Sequence, residues 1–375
     1  MLSRARSMLV DDGDGESLIV LEGKDSGRPV GGQYWDRAQK LAFMDKHSID
    51  ISVVSTANPW LDFLTPPEAP KLAQELNQDL EEYCASGPSL SSRPSTPTSP
   101  ACSVPQIKRL YGFGLLPLLP SVPTSQITEV INQIASLPHL RGVIMGTKGL
   151  GKGLDDPELE PVWAAIAEKG LVIFLHPHYG VPDELFGEAE NGHVLPLALG
   201  FPFETAIASL FIYLLPLCTL DRHPTLRILL AHSGGALPIL SSRLASCIAH
   251  DPLVASRLQH DARHYLGMLY YDAVAYGAPE LMMASAAAGR GSNYSSENKG
   301  ERTEGIEAWS SIGSKRMMFG TDHPFFPPIP GVAEPDGKWA SVTENLAAIQ
   351  TVHGWSEADK EGVRGGNAVR IFGLV

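Results

Sequence analysis

The sequence predicts an α/β fold, a TIM-like (β/α)8 barrel in a single domain, and three observations favour that fold. Short runs of apolar and β-branched residues alternate along the 375-residue chain with stretches of helical pattern, which is typical of parallel βαβ units. The runs are apolar throughout rather than alternating with polar residues, as in strands buried on both faces of a sheet. Polar side chains follow many of these runs directly, and functional residues follow the strands of such barrels at one end.

Seven apolar runs are predicted as strands, with helical pattern between them. In chain order the strands are 51–56, 112–116, 142–145, 171–175, 228–230, 269–272 and 317–320. Helical pattern covers 34–46, 69–85, 125–136, 157–169 and 238–250. A closed barrel needs an eighth strand, and the remaining candidate is 18–21; otherwise the barrel lacks or replaces its first strand. A doubly wound open sheet is the alternative architecture.

Composition and charge exclude several classes of protein. Hydrophobic residues make up 43% of the chain, enough for a sizeable core, and the net charge of −13 has no long basic run to offset it. A nucleic-acid binder or a protein of anionic membrane surfaces is therefore not expected. The four cysteines lack metal-type spacing, and the N-terminus lacks the apolar core of a signal peptide, so we expect a cytoplasmic protein. Two low-complexity segments, 85–105 and 289–304, are predicted as a disordered insert and a mobile loop.

Histidine and aspartate side chains follow three of the predicted strands. His176 and His178 follow the fourth strand, and residues two apart on a strand point to the same side. Imidazole is a common zinc ligand. His232 follows the fifth strand, where it could act as a general acid or base, and Asp322 follows the seventh. Each residue alone could be structural, as a hydrogen-bonded histidine or a helix cap, but together at one rim they predict a metal-centred active site.

Four further residues are candidates for substrate binding. Asn58 and Trp60 follow the first predicted strand, although Asn-Pro is also an ordinary turn signal. Arg28 could pair with a carboxylate, whereas an exposed loop arginine is the more usual outcome. Phe325 could form a wall for a planar substrate or simply pack under its loop.

Several segments, in this order, resemble the amidohydrolase-superfamily branch of aminocarboxymuconate-semialdehyde decarboxylase. They are FLHPHYG (174–180), LLAHSGG (229–235), FGTDHPFFP (319–327) and GGNAVRIF (365–372). Other segments resemble the fungal isoorotate (uracil-5-carboxylate) decarboxylases more narrowly. These are ANPWLDF, GLGKGLDDP, GHVLPLALGFP and TDHPFFPPI.

This resemblance implies a function and a set of site residues. It implies a (β/α)8 barrel, one divalent metal (usually zinc), a homodimer, and non-oxidative decarboxylation of a small aromatic or heteroaromatic acid. His176 and Asp322 would be metal ligands, and His232 or Asp322 would protonate the ring carbon as CO2 leaves. The residues implied to line the substrate pocket are Arg28, Asn58, Phe201 and Phe325.

The sequence departs from the family pattern at the first strand. That strand normally ends in a His-x-His or Glu-x-His pair of metal ligands, but only His47 and His139 precede His176. The run 18–21 is followed by Glu22, which offers one carboxylate at most. We therefore expect that the true first strand is missing, through truncation or deletion, with lowered metal affinity and exposed strand edges.

Two alternative functions stay open at this point. The same barrel and metal could activate water, which would make the protein a metal-dependent hydrolase. A catalytically inactive barrel that serves as a partner subunit is the other alternative, and it predicts neither metal nor turnover.

Overall fold

Seven parallel strands form the main sheet, and their order in the sheet follows their order in the chain. The structure, a computed structural model, describes residues 9–11, 17–19, 28–30, 34–57, 60–61, 64–90, 107–178, 180–182, 195–214, 218–294, 305–329, 331 and 337–374. The strands are β4 (Ser52–Ser55), β5 (Leu110–Leu115), β6 (Leu140–Met145), β7 (Val172–Leu175), β8 (Arg227–Leu230), β9 (Tyr270–Asp272) and β10 (Met317–Met318). All seven predicted strands are confirmed. The sheet is the curled part of a TIM-like barrel that lacks a strand.

The predicted eighth strand is wrong as a barrel strand. Three short strands, β1 (Leu9–Asp11), β2 (Ser17–Ile19) and β3 (Arg28–Val30), form a separate antiparallel sheet. Leu18 lies in β2, opposite Val10 and Pro29. Antiparallel partners can be joined by a short turn, whereas a parallel partner needs a crossover of a dozen or more residues, so local pairing prevails. Residues 20 and 21 lie outside the described residues.

The doubly wound alternative is also wrong, because a doubly wound sheet reverses its strand order at a switch point. Here β4 to β10 follow one another without reversal. Helices connect the parallel strands, as right-handed crossovers require.

The described residues form fourteen α-helices, and five of these match the predicted stretches to within three residues. The fourteen helices are α1 (Arg37–Lys46), α2 (Ala69–Ala85), α3 (Thr124–Ser136), α4 (Glu160–Lys169), α5 (Phe201–Leu214), α6 (Thr219–Arg222), α7 (Leu237–Ala249), α8 (Pro252–Ala255), α9 (Ala262–Leu266), α10 (Ala278–Arg290), α11 (Ile306–Ser314), α12 (Ala340–Thr351), α13 (Glu357–Glu361) and α14 (Asn367–Phe372). Helix α1 begins where the Asp36 side chain accepts a hydrogen bond from the Ala38 N–H, an ordinary N-cap. None of the described helices is both long and apolar enough to cross a membrane.

Helix α1 packs over the two edge strands of the main sheet. Phe43 and Met44 of α1 are buried in a cluster with Leu110 and Val342. Val54 of β4 and Phe319, directly after β10, pack against this same cluster. Because β4 and β10 are the edge strands, α1 packs across the gap between them.

Both low-complexity segments are more ordered at their starts than predicted. Ala85 ends α2, and Ser89 forms an isolated β-bridge with Lys108. Gly289 and Arg290 belong to α10, and Gly291–Tyr294 forms a 3-10 turn. Their small residues allow close backbone packing that composition alone does not reveal. Residues 91–106 and 295–304 lie outside the described residues.

Candidate active site

Two histidine rings meet edge to face at the carboxyl ends of β7 and β8. The ring centroids of His176 and His232 are 5.1 Å apart with a 69° angle between the planes. Desolvation lowers the pKa of His176 to about 3, and the neighbouring His232 adds to this effect. Burial lowers the pKa of His232 to about 4. Both imidazoles are therefore neutral near neutral pH.

The tautomer of His176 follows from its hydrogen bond. Its Nδ1–H donates to the carbonyl of Pro177 at 2.6 Å. The proton on Nδ1 leaves a lone pair on Nε2, so His176 presents a Lewis base to the site. His232 differs, because its Nδ1 is buried and has no hydrogen-bond partner among the described residues.

Asp272 fixes the turn that carries His232. His232 and Ser233 have φ of 53° and 54°, a left-handed conformation that costs free energy in any residue but glycine. The Asp272 carboxylate accepts the N–H groups of His232 at 3.0 Å and Ser233 at 2.8 Å. Sequence reasoning missed Asp272, although an aspartate that ends the apolar run 269–272 was a visible signal.

Asp322 is held by Tyr276 and lies in the same site. Tyr276 donates its hydroxyl proton to Oδ2 of Asp322 at 3.1 Å, and Asp322 has a φ of 53°. Burial raises the pKa of Asp272 to about 7, and the negative charge of Asp322 adds to the rise. The same charge favours the protonated form of His176. Asp322 therefore acts electrostatically on residues at the carboxyl ends of two other strands, β7 and β9.

Glu204 ties together the loops after β6 and β7. Its buried carboxylate accepts hydrogen bonds from the Thr147 hydroxyl, from the His178 N–H at 3.1 Å and from the Gly180 N–H. Sequence reasoning missed Glu204 as well. Glu204 is the only charged residue of the largely apolar helix α5, and this was the available signal.

Two aromatic side chains border the histidines. Phe201 stacks on His232 with ring centroids 6.3 Å apart and planes 19° apart. Trp60 approaches His176 at 6.3 Å and His178 at 5.5 Å. The structure thus brings Phe201 and Trp60 to the predicted site.

Of the other predicted substrate-binding residues, two lie within the described part of the chain. Arg28 lies in β3, opposite Ile19 in the small antiparallel sheet. Phe325 packs edge to face on Tyr34 with ring centroids 6.0 Å apart. Asn58 lies outside the described residues. Substrate contacts by these three residues stay predictions.

The described residues do not fit a metal centre on their own. A catalytic zinc site has three protein ligands and one open position. In the part of the chain that the structure describes, no group of three or more His, Cys, Asp or Glu side chains could hold a metal ion. His176 and Asp322 would offer two of the ligands of such a site.

Comparison with known proteins supports the resemblance. The model of the amidohydrolase family matches residues 113–374. The chain is 25% identical to the 2-amino-3-carboxymuconate-6-semialdehyde decarboxylase of Dictyostelium discoideum over 367 residues, which are 96% of this chain and 82% of that protein.

Solved structures share the fold. The apo structure of Metarhizium anisopliae IDCase superposes with a TM-score of 0.79 and 37% identity, covering 98% of this chain and 90% of that one. A dihydroxybenzoic acid decarboxylase from Polaromonas with bound manganese and 2-nitroresorcinol has a TM-score of 0.64 and 20% identity. The match covers 91% of this chain and 86% of the Polaromonas chain. At 20% identity, it supports the fold alone.

Proposed function

We propose that this chain removes CO2 from a small aromatic or heteroaromatic carboxylic acid, because it belongs to the amidohydrolase family and, within that family, to the decarboxylases similar to aminocarboxymuconate-semialdehyde decarboxylase. Uracil-5-carboxylate and hydroxybenzoates are the substrates we expect. The name of the Dictyostelium relative identifies it as a decarboxylase of a carboxylic acid, which supports the reaction class. We assign this reaction to the site at the carboxyl ends of β7 and β8.

One observation carries the proposal: the Nδ1 of His232 is buried and has no hydrogen-bond partner within the described part of the chain, and its ring lies beside that of His176. Burying a polar atom without a hydrogen-bond partner costs free energy. A ligand group or a proton that binds to this Nδ1 is therefore stabilised there. An entering carboxylate would raise the pKa of His232 from its lowered value of about 4, because an opposite charge favours the imidazolium. The binding of substrate itself would then load the proton.

The proton has a defined destination in this reaction. As the bond between the ring carbon and the carboxylate breaks, the electron pair stays on the ring carbon and CO2 leaves. The ring carbon then takes the proton from His232, which returns to its neutral form. Phe201, stacked on His232, holds the imidazole plane while the proton moves.

The sequence resemblance implies zinc, and the similar Polaromonas enzyme contains manganese. His176 and Asp322 do not make a complete donor set within the described residues, so further ligands would have to come from elsewhere, for example Glu22. No step of the proposed mechanism is routed through a metal.

The test measures CO2 release and metal content on the same purified chain. Uracil-5-carboxylate and a dihydroxybenzoate are supplied with and without added Zn²⁺ or Mn²⁺, beside the His232→Gln variant as the control. Release of CO2 by the wild type that the variant lacks supports the proposal. Consumption of substrate without CO2 would indicate the hydrolase alternative. If neither the chain nor a version extended upstream releases CO2, the proposal is wrong.

A second candidate function rests on the incomplete donor set. A barrel that has lost its metal site can persist as a non-catalytic partner subunit, and the described residues contain no group of three metal-binding side chains. This candidate predicts no bound metal and no turnover, together with stable association with another chain. Size-exclusion chromatography beside the elemental analysis separates the two candidates.

A further inference from the structure

Helix α5 carries polar side chains on its buried side and large apolar side chains on its exposed side. Glu204, Thr205 and Ser209 are buried. Phe203 and Ile207 are 46% and 47% exposed. A helix at the surface of a single globular chain has the opposite pattern, with its apolar side toward the core. The packing of one chain therefore accounts for the inner side of α5 and leaves its outer side unexplained.

The inward polar groups of α5 have partners inside the chain. The Thr205 hydroxyl donates to the Phe201 carbonyl at 3.0 Å, and the Ser209 hydroxyl donates to the Thr205 carbonyl at 2.7 Å. Such side chains commonly make these bonds inside helices. Glu204 binds the loops after β6 and β7, and Phe201 stacks on His232. The inner side of α5 is thus part of the candidate site.

Three large apolar side chains form one stripe along the outer side of this helix. Leu199 is 49% exposed and lies in the π-helical turn Pro196–Gly200 that precedes α5. Phe203 and Ile207 follow at intervals of four residues, and side chains four residues apart form a ridge on one face of a helix. From 199 to 210 these three are the exposed positions, so the ridge, which we call the α5 stripe, carries no charge.

The first turn of α7 extends this surface. The Ala236 N–H donates to the Pro202 carbonyl at 3.1 Å, which joins the two helices, and Ile239, one turn further on, is 70% exposed. At about 150 Å² for each fully exposed large side chain, Ile239 and the α5 stripe expose roughly 300 Å² of apolar surface. Each partner of a stable complex buries about 800 Å², of which about 60% is apolar. The patch therefore supplies more than half of the apolar area that one such interface needs.

We propose that two copies of this chain associate as a symmetric dimer through the α5 stripe and Ile239. A ridge of side chains four residues apart packs into the matching groove of an identical helix, the commonest packing of helices in globular proteins. In a two-fold dimer the same patch serves both copies, so each stripe covers the other. The second copy thereby covers the outer side of the helix whose inner side holds Phe201 and Glu204 in the site.

Charge favours a second copy over other occupants of the patch. The net charge of −13 makes two copies repel each other, and it also disfavours binding to an anionic membrane surface. Contact between copies therefore needs a surface without acidic side chains, which the α5 stripe provides. A basic partner protein would instead be attracted to an acidic surface. Because the inference rests on the geometry of α5 and not on the proposed function, it is tested without substrate or turnover.

The test measures the mass of the purified full chain by analytical ultracentrifugation over about a hundredfold range of micromolar concentrations. For the wild type we expect a species of twice the 40.4 kDa of one chain. Ile207→Glu places a charge in the interface and should raise the dissociation constant about 30-fold or more, the scale for losing one interface hot spot. Phe203→Glu, on the same stripe, is the second variant. Both positions are exposed in the single chain, so both variants should fold, which circular dichroism checks.

Ile312→Glu is the matched control. Ile312 is 42% exposed and lies on α11, so the same substitution is made at a similarly exposed isoleucine of a different helix, and the dimer should persist. A wild type with the mass of one chain at every concentration would overturn the inference and leave the patch to a different protein or a lipid surface. A dimer that survives both stripe variants, or that Ile312→Glu disrupts equally, would also overturn it.

Discussion

Left-handed backbone recurs at the polar residues of the site. His232, Ser233 and Asp322 have φ values between 53° and 54°, and such a residue costs about 1–3 kcal/mol unless its surroundings hold it. Asp272 supplies that support at the first two positions, because one carboxylate binds both N–H groups. The orientation of His232 therefore depends on a residue that need not touch substrate.

Replacing Asp272 tests this dependence. We expect Asp272→Ala to lower the free energy of unfolding by about 2–4 kcal/mol, since the buried N–H groups of His232 and Ser233 lose their acceptors. Urea unfolding followed by circular dichroism measures it.

The Asp272→Asn variant is the matched control for Asp272→Ala, because its amide keeps one acceptor oxygen and should lose less stability. Equal stability of Asp272→Ala and the wild type would contradict the support we assign to Asp272.

Lys40 is a buried cation that the proposed chemistry does not use. Its side chain is 9% exposed, its ammonium lies 5.1 Å from the centroid of the Phe43 ring, and burial lowers its pKa to about 8. The nearby imidazoles are those of His323 and His47, and burial lowers the pKa of each below the ordinary value for histidine. Both rings are neutral wherever Lys40 titrates.

Lys40→Met should stabilise the protein at pH 7. Below pH 8 the lysine is charged in both the folded and the unfolded chain, so the full cost of its burial is present, on the order of 3 kcal/mol. Between pH 8 and 10.5 only the unfolded chain stays protonated, and the wild type gains stability as the pH rises.

The difference in unfolding free energy between Lys40→Met and the wild type should therefore shrink across that interval. Chemical denaturation at a series of pH values measures it. A constant difference from pH 7 to 10.5 would show that Lys40 keeps its ordinary pKa in the folded chain.

At the scale of elements, helices α10 and α11 pack backbone to backbone. A Cβ at Gly313 would lie 1.8 Å from the Ser285 carbonyl oxygen, and one at Gly289 would lie 1.9 Å from that of Trp309. The hydroxyls of Ser285 and Ser310 share a hydrogen bond of 2.6 Å at the same contact. Only small residues permit this approach of the two helices.

Gly313→Ala should therefore separate the two helices. We expect a loss of about 2–4 kcal/mol of unfolding free energy, because the obstructing atoms belong to the backbone and cannot rotate away. Thermal unfolding reports the loss. Gly365→Ala is the control, since a Cβ at Gly365 meets nothing within 4 Å; an equal loss in both variants would refute close packing as the cause.

Sequence patterns predicted the elements better than their partners. Apolar runs located all seven strands of the main sheet, because burial on both faces leaves a direct mark on composition. The run 18–21 carries the same mark, yet Leu18 pairs in a small antiparallel sheet. Composition shows that a strand is buried and leaves open which edge it joins.

The candidate site shows the same limit. His176, His232 and Asp322 were predicted because polar residues that follow parallel strands gather at one rim. Asp272 and Glu204 were missed because they act on backbone groups far along the chain, 40 residues away for His232 and 26 for His178. Such supporting contacts depend on the tertiary packing of helices and loops.

At the scale of the whole molecule, α1 packs over both edge strands of the main sheet. Phe43 is 6% exposed and shares its cluster with Leu110 of β5 and with Val342 of α12. His47 also accepts a hydrogen bond from the Trp339 N–H at 3.0 Å. The early and late parts of the described chain meet through α1.

Phe43→Ala should destabilise the entire protein by about 3–5 kcal/mol, the range for removal of a buried aromatic ring. Urea unfolding monitored by tryptophan fluorescence gives the free energy and the cooperativity of the transition. Trp35→Ala is the control at an exposed position, since Trp35 is 55% exposed, and it should change stability by about 0.5 kcal/mol or less. Equal losses of unfolding free energy in the two variants would contradict the packing of α1 over the edge strands.

The contact between His47 and Trp339 joins residues 292 apart in the chain, whereas neighbours in the main sheet follow one another in sequence. Closing a long loop costs more entropy than closing a short one, and contacts between distant residues slow folding. Strand pairing can therefore advance by local steps before α1 docks. We therefore expect α1 to dock after the transition state for folding. An interaction made that late governs how fast the native protein opens and leaves the rate of refolding nearly unchanged, so the lifetime of the native fold should depend on the docking of α1.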